Sequence, residues 1–356
     1  MENRGLLFIP DISGFTKFIT QTEIEHSRLI IQELLEVLIN SNEIGLKISE
    51  IEGDAILFYR FGEPPTLDEV YGQVEKMFCE FHRRIIAYDH RRYCLCRACH
   101  SANDLTLKII SHYGEFTGYS VQNFNKLIGK DIIIAHQLLK NDINTHEYWL
   151  VTNDLLPGDA PSGMKSWMEW KSSAKETENG KVRYHFTQLS PLKDEIAVEP
   201  QPKVDLSDKT KVISVTRDYD TDFITLFHAC GDFSYRHEWQ EGVKKVEMLD
   251  HYLPRVGMRC KAQLSTGEVM IYSSSYFYTE KKLEFTETND SHKTVTAYTI
   301  DILGEKKSKL TLDYYVNGNA ITSNLFRFFR KKKLKESFER SLENLDKFAS
   351  TLVIPT

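Results

Sequence analysis

Apolar residues in the first half of the chain recur with two different periods, which predict alternating strands and helices. Helical spacing covers residues 23–38, 67–88 and 130–139. Strand-like runs bounded by turn residues cover residues 47–52, 55–59, 105–113 and 148–152. This order of elements predicts a mixed sheet with helices packed against it.

The second half has another order: one short helix, many strands and a long last helix. The short helix begins near Asp222, and the last helix covers residues 322–352 with one apolar stripe. Strands are predicted over residues 211–217, 243–249, 259–264, 269–276, 282–288, 294–300 and 309–315. A curved antiparallel sheet around the last helix would bury that stripe and leave a cavity between the two.

Prolines and acidic residues change the composition of the chain between residues 191 and 209. Pro191, Pro200 and Pro202 lie there among polar side chains, as is typical of a linker between domains. We predict an α+β protein with a first domain at residues 1–190, a linker at 191–209 and a second domain at 210–356. A chain of 356 residues can form two such cores.

Composition and charge limit the kinds of partner and the cellular compartment that we expect for this chain. Hydrophobic residues make up 41% and charged residues 27% of the chain, and the net charge of -6 gives no reason to expect nucleic acid. No apolar run reaches membrane-spanning length, and the N-terminus has no signal-peptide pattern. Six cysteines in so long a chain do not form a secreted disulfide framework. We expect a cytoplasmic protein without stable membrane insertion.

Two apolar segments that contain an aspartate carry the strongest chemical signal. Residues 8–16 read FIPDISGFT and include Asp11, and residues 47–58 read KISEIEGDAILF and place Asp54 in a Gly-Asp turn. At one sheet edge, the two carboxylates would suit Mg²⁺, which commonly takes its other ligands from water and phosphate. The alternative is that both are ordinary turn aspartates.

These two motifs resemble those of the class III nucleotidyl cyclase catalytic domain, the family of adenylate and guanylate cyclases, and the resemblance covers residues 6–189. It implies a ferredoxin-like mixed-sheet domain that binds a purine nucleoside triphosphate and forms a head-to-tail homodimer. It implies two Mg²⁺ or Mn²⁺ ions held by the side chains of Asp11 and Asp54 and the carbonyl group of Ile12. The residues expected to contact the triphosphate are Gly14, Phe15 and Thr16.

The choice of purine in the family depends partly on the position that Glu50 occupies here. In having glutamate at this position, the chain resembles guanylate cyclases. A glutamate side chain can accept hydrogen bonds from guanine. Its companion position falls on Lys126, and lysine there fits neither substrate pattern. The alternative is that Glu50 and Lys126 pair with each other.

The chain departs from the family at the two positions that act on the transition state. The family has asparagine and arginine where this chain has Ile133 and Gln137. An apolar side chain cannot orient a ribose hydroxyl, and glutamine carries no positive charge. Losing one preorganised donor commonly costs about 10²–10³ in rate. The resemblance therefore implies a diverged domain that binds nucleotide with weak or no catalysis; an active purine nucleotide cyclase with nonstandard residues is the alternative.

The second half resembles the START-like, helix-grip superfamily (SRPBCC), in the branch with polyketide cyclase-like proteins. The resemblance is carried by the run SYRHEW at 234–239, the run PRVGM at 254–258 and the long last helix. It implies a cavity for an apolar small molecule or lipid, whose occupancy could bias the first domain. A further alternative is a hydrophobic-ligand carrier whose cyclase-like half serves only for dimerisation.

A cysteine-rich loop and a basic run are further candidate sites. The loop contains Cys94, Cys96, Cys99 and His100, which could bind Zn²⁺; the alternative is a reduced loop without metal. The basic run, from Arg327 to Lys335, could attract anionic lipid headgroups, and the alternative is a solvated helix face.

Overall fold

A computed structural model divides the chain into two compact units, unit 1 at Met1–Ile86 with Ser101–Val198 and unit 2 at Ala87–His100 with Glu199–Thr356. Both units contain helices and sheets, which confirms the expected α+β class. Among the described residues, the helices are too short or too polar to cross a membrane. The structure describes residues 3–22, 24–91, 100–162, 164–178, 180–197, 203–249, 256–265, 267–289, 293–317 and 331–354.

Among its described residues, unit 1 contains nine strands, three whole α-helices and the part of a fourth α-helix up to Ile86. The helices are α1 (Phe15–Gln21), α2 (Ile24–Asn40), α3 (Leu67–Arg91) and α4 (Lys130–Leu139). The strands are β1 (Arg4–Ser13), β2 (Lys47–Glu52), β3 (Ala55–Phe61), β4 (Thr106–Glu115), β5 (Thr117–Val121), β6 (Phe124–Ile128), β7 (Tyr148–Thr152), β8 (Lys171–Thr177) and β9 (Gly180–Gln188).

Strand β1 lies near the centre of the unit 1 sheet. Seven strands pair in the order β2-β3-β1-β4-β7-β9-β8, and β4 and β7 run parallel while the other neighbours are antiparallel. Strands β5 and β6 form a separate two-stranded ribbon. Nine of the ten β1 residues are buried, because the strand is covered on both faces, so a polar side chain on it needs a specific partner.

Helix α4 is fixed against β4 by a close approach at Gly114. A Cβ atom at Gly114 would lie 2.3 Å from the carboxylate carbon of Asp131, so a larger residue does not fit. Asp131, in the first turn of α4, accepts a hydrogen bond from the backbone N–H of Glu115 at 2.6 Å. On the buried face of α4, Ile132, Ala135 and Leu138 join the core. The opposite face of α4 is therefore left for the site described below.

The long helices and the buried strands of unit 1 agree with the sequence prediction to within a few residues. The helix predicted over 23–38 ends at Asn40, and the predictions for α4 and β7 match the observed bounds. The prediction missed the β5–β6 ribbon and the strands β8 and β9. Strand β8 reads KSSAKET and lies at the sheet edge, so it lacks the apolar alternation that would reveal it.

The described residues of unit 2 form one antiparallel sheet and a long helix that follows it in the chain. Its helices are α5 (Phe223–Gly231), α6 (Arg236–Trp239) and α7 (Lys331–Ala349). Its strands are β10 (Lys209–Tyr219), β11 (Val243–Met248), β12 (Arg259–Leu264), β13 (Gly267–Tyr278), β14 (Lys282–Asn289), β15 (Thr294–Gly304) and β16 (Lys307–Asn317). The sheet order is β10-β16-β15-β14-β13-β12-β11.

Helix α7 buries its apolar stripe in the core of unit 2, as the sequence predicts. Leu342, Leu345 and Ala349 are buried in a cluster that includes Ile213 and Val215 of β10. The prediction began this helix at residue 322, and residues 322–330 lie outside the described part of the chain. The basic run from Arg327 to Lys335 lies partly outside it too, whereas Lys331, Lys332, Lys333 and Lys335 lie on α7.

Candidate functional site

Strand register places Asp11 directly opposite a lysine of the neighbouring strand. Asp11 on β1 pairs with Lys108 on β4 and, on its other side, with Ala55 on β3. Directly opposite residues in an antiparallel pair project to the same face of the sheet. The Nζ atom of Lys108 accordingly lies 3.3 Å from Oδ1 of Asp11.

The β2–β3 turn brings Asp54 to the same end of β1. Gly53 has a φ of 61°, a left-handed conformation that glycine adopts without strain, and Asp54 follows it in the turn. The backbone N–H of Ile12 donates to the carbonyl oxygen of Asp54 at 3.0 Å. Asp11 and Asp54, separated by 43 positions in the sequence (54 minus 11), therefore face one region at the sheet edge.

Burial raises the pKa of both carboxyl groups, and repulsion from Asp11 adds to the rise at Asp54. Burial raises the pKa of Asp11, and the nearby ammonium group of Lys108 opposes that rise. Burial raises the pKa of Asp54 to about 6, and the negative charge of Asp11 adds to the effect. Two carboxylates that repel each other in this way favour a cation between them.

Asp54→Asn is expected to stabilise the folded protein near neutral pH. Because the pKa of Asp54 is raised from 3.8 to about 6, the wild type loses stability as pH rises through that window, and the cost is fully present above it. Since Asp54 is only half-buried, we expect a gain of about 1 kcal/mol at pH 7.5 and none near pH 3. Urea unfolding at both pH values measures the difference in free energy of unfolding between Asp54→Asn and the wild type, and the exposed Asp159→Asn is the control. A gain of equal size at pH 3 and pH 7.5 would contradict the electrostatic origin.

A cleft of about 790 Å³ opens beside the two aspartates. Its walls come from the end of β1, the start of α1, the β2–β3 turn and the outward face of α4. Ile133 is 51% exposed there, which is unusual for isoleucine, and Gln137 lies one turn further along α4. The Oε1 atom of Gln137 is buried and has no hydrogen-bond partner among the described residues. Both positions that depart from the cyclase pattern therefore face this cleft.

The predicted triphosphate-binding residues also line the cleft. Gly14, Phe15 and Thr16 are part of its wall, and Gly14 has a φ of 90° where the chain turns from β1 into α1. Lys17, Lys140, His136 and His146 line the same space and provide basic groups near it. The cleft thus combines a carboxylate pair with several groups that attract anions.

Glu50 and Lys126 contact each other, as the alternative interpretation expects. The Nζ atom of Lys126 donates to Oε2 of Glu50. Nε2 of His136 lies 3.6 Å from Oε1 of Glu50, and Nδ1 of the same ring lies 3.8 Å from Oε2 of Glu52. In the described lining of the cleft, Glu52 is present whereas Glu50 and Lys126 are not. Their proposed part in purine selection therefore stays a prediction.

Sequence reasoning missed Lys108, and it also missed Lys17 and His146 of the cleft lining. Lys108 lies inside the apolar run from Leu107 to Ile110, where a strand covered on both faces predicts only core side chains. One polar residue in such a run could have been recognised as needing a buried partner. Its pairing with Asp11 depends on the β1–β4 register, which the sequence does not specify.

The proposed zinc ligands Cys94, Cys96 and Cys99 lie outside the described residues, and the fourth, His100, is described and exposed. Across the described ranges, the structure contains no group of three or more His, Cys, Asp and Glu side chains arranged to hold a metal. A cation at Asp11 and Asp54 would therefore need backbone, water or phosphate oxygens as further ligands.

Unit 2 has its own cavity, of about 690 Å³. It lies beside the start of β10, the end of β16 and the first turns of α7, and apolar side chains such as Ile213, Leu334 and Phe338 line it. The charged residues of its lining are Lys211, Glu241, Lys331, Lys333 and Arg340.

Comparison with known proteins gives matches for parts of the chain. A family described as Protein of unknown function (DUF2652) matches residues 31–148. The Uncharacterized protein Rv2561/Rv2562 of Mycobacterium tuberculosis is 32% identical over 123 residues, which are 34% of this chain and 56% of the relative. The chain thus spans about half the length of this curated relative.

Solved structures with partial likeness include guanylyl cyclase domains and START-superfamily proteins. The guanylate cyclase domain of RhGC from Catenaria anguillulae, solved in complex with GTP, is 16% identical and has a TM-score of 0.36, covering 52% of this chain and 97% of that chain. A START superfamily protein from Mycobacterium smegmatis is 16% identical and has a TM-score of 0.31, covering 40% of this chain and 98% of that chain.

Proposed function

We propose that the cleft of unit 1 binds a purine nucleoside triphosphate together with Mg²⁺ or Mn²⁺ and converts it slowly or not at all. One observation carries the proposal: Asp11 and Asp54 share a cleft with Ile133 and Gln137. The first two residues provide hard oxygen ligands. Ile133 and Gln137 stand at the positions where the family has the asparagine and arginine that a cyclisation transition state needs.

The donor set fits a hard divalent cation. Asp11 and Asp54 supply two carboxylates, Ile12 supplies a backbone carbonyl, and Mg²⁺ commonly keeps several waters or phosphate oxygens as its other ligands. When bound, the ion would neutralise charge on the phosphate chain. The residues from Gly14 to Thr16 and the basic side chains Lys17 and Lys140 would hold the phosphates beside it.

Weak catalysis follows from the residues on α4. Ile133 offers no hydrogen bond to a ribose hydroxyl, and Gln137 has no charge to stabilise negative charge on phosphorus. Each such loss commonly lowers kcat by about 10²–10³. The basic residues His136, on α4, and Lys140, directly after it, line the same cleft, but neither occupies one of the two positions that depart from the family. The domain would therefore act as a nucleotide sensor.

A second copy of the chain is part of the proposal. The β5–β6 ribbon exposes Tyr119 by 46%, Val121 by 59% and Ile128 by 58%. A two-stranded ribbon with exposed apolar side chains is marginally stable alone, which favours an interface on it. We propose a homodimer formed through this ribbon.

Equilibrium binding and product analysis on the full chain test the proposal. The protein is incubated with ATP or GTP and Mn²⁺, and we expect nucleotide binding with no cyclic product above background. Cyclic product that disappears in Asp11→Ala and Asp54→Ala would instead identify an active cyclase. Absence of metal-dependent binding would favour a ligand carrier, and sedimentation of the same sample reports the dimer.

For unit 2 we propose binding of an apolar small molecule or lipid, because its cavity has an apolar wall large enough for such a ligand.

Lys331 and Lys333 line the cavity and favour a ligand with an anionic headgroup. Palmitate is therefore the probe, and hexadecanol is the uncharged comparison. Leu334→Arg, inside the cavity, is expected to weaken palmitate binding at least about tenfold. Glu339→Arg, an exposed change on the same helix, is the control. Equal palmitate affinity in both variants and the wild type would contradict a ligand in this cavity.

A further inference from the structure

Lys108 occupies an unusual place for a lysine, inside the sheet and against the carboxylates of the cleft. Its side chain is 18% exposed, and its strand neighbours Leu107 and Ile109 are fully buried. Placing an ammonium group in such surroundings is costly unless partners compensate it. The structure supplies those partners from two different elements.

The first partner is Asp11, and the second is the end of helix α4. Besides the 3.3 Å contact with Oδ1 of Asp11, the Nζ atom of Lys108 donates to the carbonyl oxygen of Leu139 at 3.2 Å. Leu139 is the last residue of α4, where unpaired carbonyl groups and the helix dipole attract positive charge. The ammonium group is therefore fixed between a carboxylate and a helix C-terminus.

The charge balance of the cleft follows from this placement. Asp11 and Asp54 carry two negative charges when ionised, and Lys108 already supplies one positive charge beside them. A pair of divalent cations would add four further positive charges within a few ångströms of that ammonium. Repulsion between like charges at such distances is large in a partly buried site.

We propose that the Lys108 ammonium takes the place of one of two metal ions, so that the carboxylate pair accepts a single divalent cation. The proposal rests on the nucleotide and metal site proposed above and differs from the pair of ions that the family resemblance implies. Lys108 then serves as a fixed internal cation beside Asp11, and the carboxylate pair of Asp11 and Asp54 would hold the one divalent ion.

Mn²⁺ alone is the probe, and the number bound per full-length chain is measured by electron paramagnetic resonance of the free ion. We expect one Mn²⁺ in the wild type, and in Lys108→Met either a second Mn²⁺ or an affinity at least about tenfold higher. Lys108→Arg, which keeps the charge, should resemble the wild type. Lys181→Met removes a lysine of unit 1 that is 59% exposed and outside the described lining of the cleft, and it should change little.

The outcomes separate this inference from the proposed function. Equal stoichiometry and affinity in the wild type and Lys108→Met would overturn the inference while leaving a metal site in place. Binding in Lys108→Met but not in the wild type would overturn the single-ion site and contradict metal binding by the natural chain. Absence of Mn²⁺ binding in both would overturn the inference, and the nucleotide-binding experiment above then decides the proposed function separately. Lys108→Gln provides a second neutral variant if the methionine variant does not fold.

Discussion

Arg236→Met is expected to lower the free energy of unfolding of unit 2 by about 3–5 kcal/mol, because it would leave a buried carboxylate without its cation. Arg236 is 1% exposed, and its Nη1 atom donates to Oε2 of Glu287 at 2.7 Å, while Nη2 donates to Oε1. The hydroxyl group of Tyr298 also donates to Oε2 of Glu287, at 3.2 Å.

Two aromatic rings also contact the guanidinium group of Arg236. Its central carbon lies 5.2 Å from the ring centroid of Phe233 and 5.2 Å from that of Trp239. Such cation–π contacts are stronger when the cation is desolvated. The stability of this region therefore depends on Arg236 through both charge and stacking.

The measurement is hydrogen exchange of unit 2 peptides in a urea series on the full chain. The matched control is Arg217→Met, because Arg217 and Asp346 form an ion pair at 2.9 Å whose side chains are 38% and 36% exposed. That change should cost less than about 1 kcal/mol. Replacing both buried partners, in Arg236→Met with Glu287→Leu, should recover much of the loss. Equal costs for the buried and the exposed arginine would contradict the account.

The double substitution Ile133→Asn and Gln137→Arg is expected to raise cyclic nucleotide formation by at least about 10²-fold over the wild type. Both side chains face the cleft that contains Asp11 and Asp54, so the new amide and guanidinium groups would enter the same space. The exposure of Ile133 means that asparagine there should not disturb the core.

Mass-spectrometric detection of cyclic product, with ATP or GTP and Mn²⁺, measures the effect. The control adds Asp11→Asn to the double variant and should abolish the gain. A double variant that binds nucleotide as tightly as the wild type yet forms no product would contradict the roles assigned to the two α4 positions.

Local sequence patterns predicted the elements that bury an apolar face and the turn that holds Asp54. Helix α4 and strand β7 were predicted with the observed bounds because their apolar spacing is strong. Asp11 and Asp54 were predicted to lie together, and the structure places both in one cleft. Strand β8 was missed, because at a sheet edge its polar residues need no alternation.

Contacts that depend on strand register, or that join residues far apart in the sequence, could not be predicted from local sequence patterns. Lys108 meets Asp11 because β1 and β4 pair in one particular register, and a shift by one residue would turn the lysine to the other face. Arg236 meets Glu287, which lies 51 positions further along the chain. A sequence pattern shows that a buried charge needs a partner, but it does not identify that partner.

The central claim is that Asp11 and Asp54 form a metal–nucleotide site. Its most direct test is the effect of Mn²⁺ on nucleotide affinity, measured for the wild type, for Asp11→Asn and for the exposed control Asp159→Asn. The account predicts that Mn²⁺ tightens ATP or GTP binding to the wild type and to Asp159→Asn, and that this increase is lost in Asp11→Asn. An increase of the same size in Asp11→Asn, or no increase in the wild type, would contradict a metal–nucleotide site at the two aspartates.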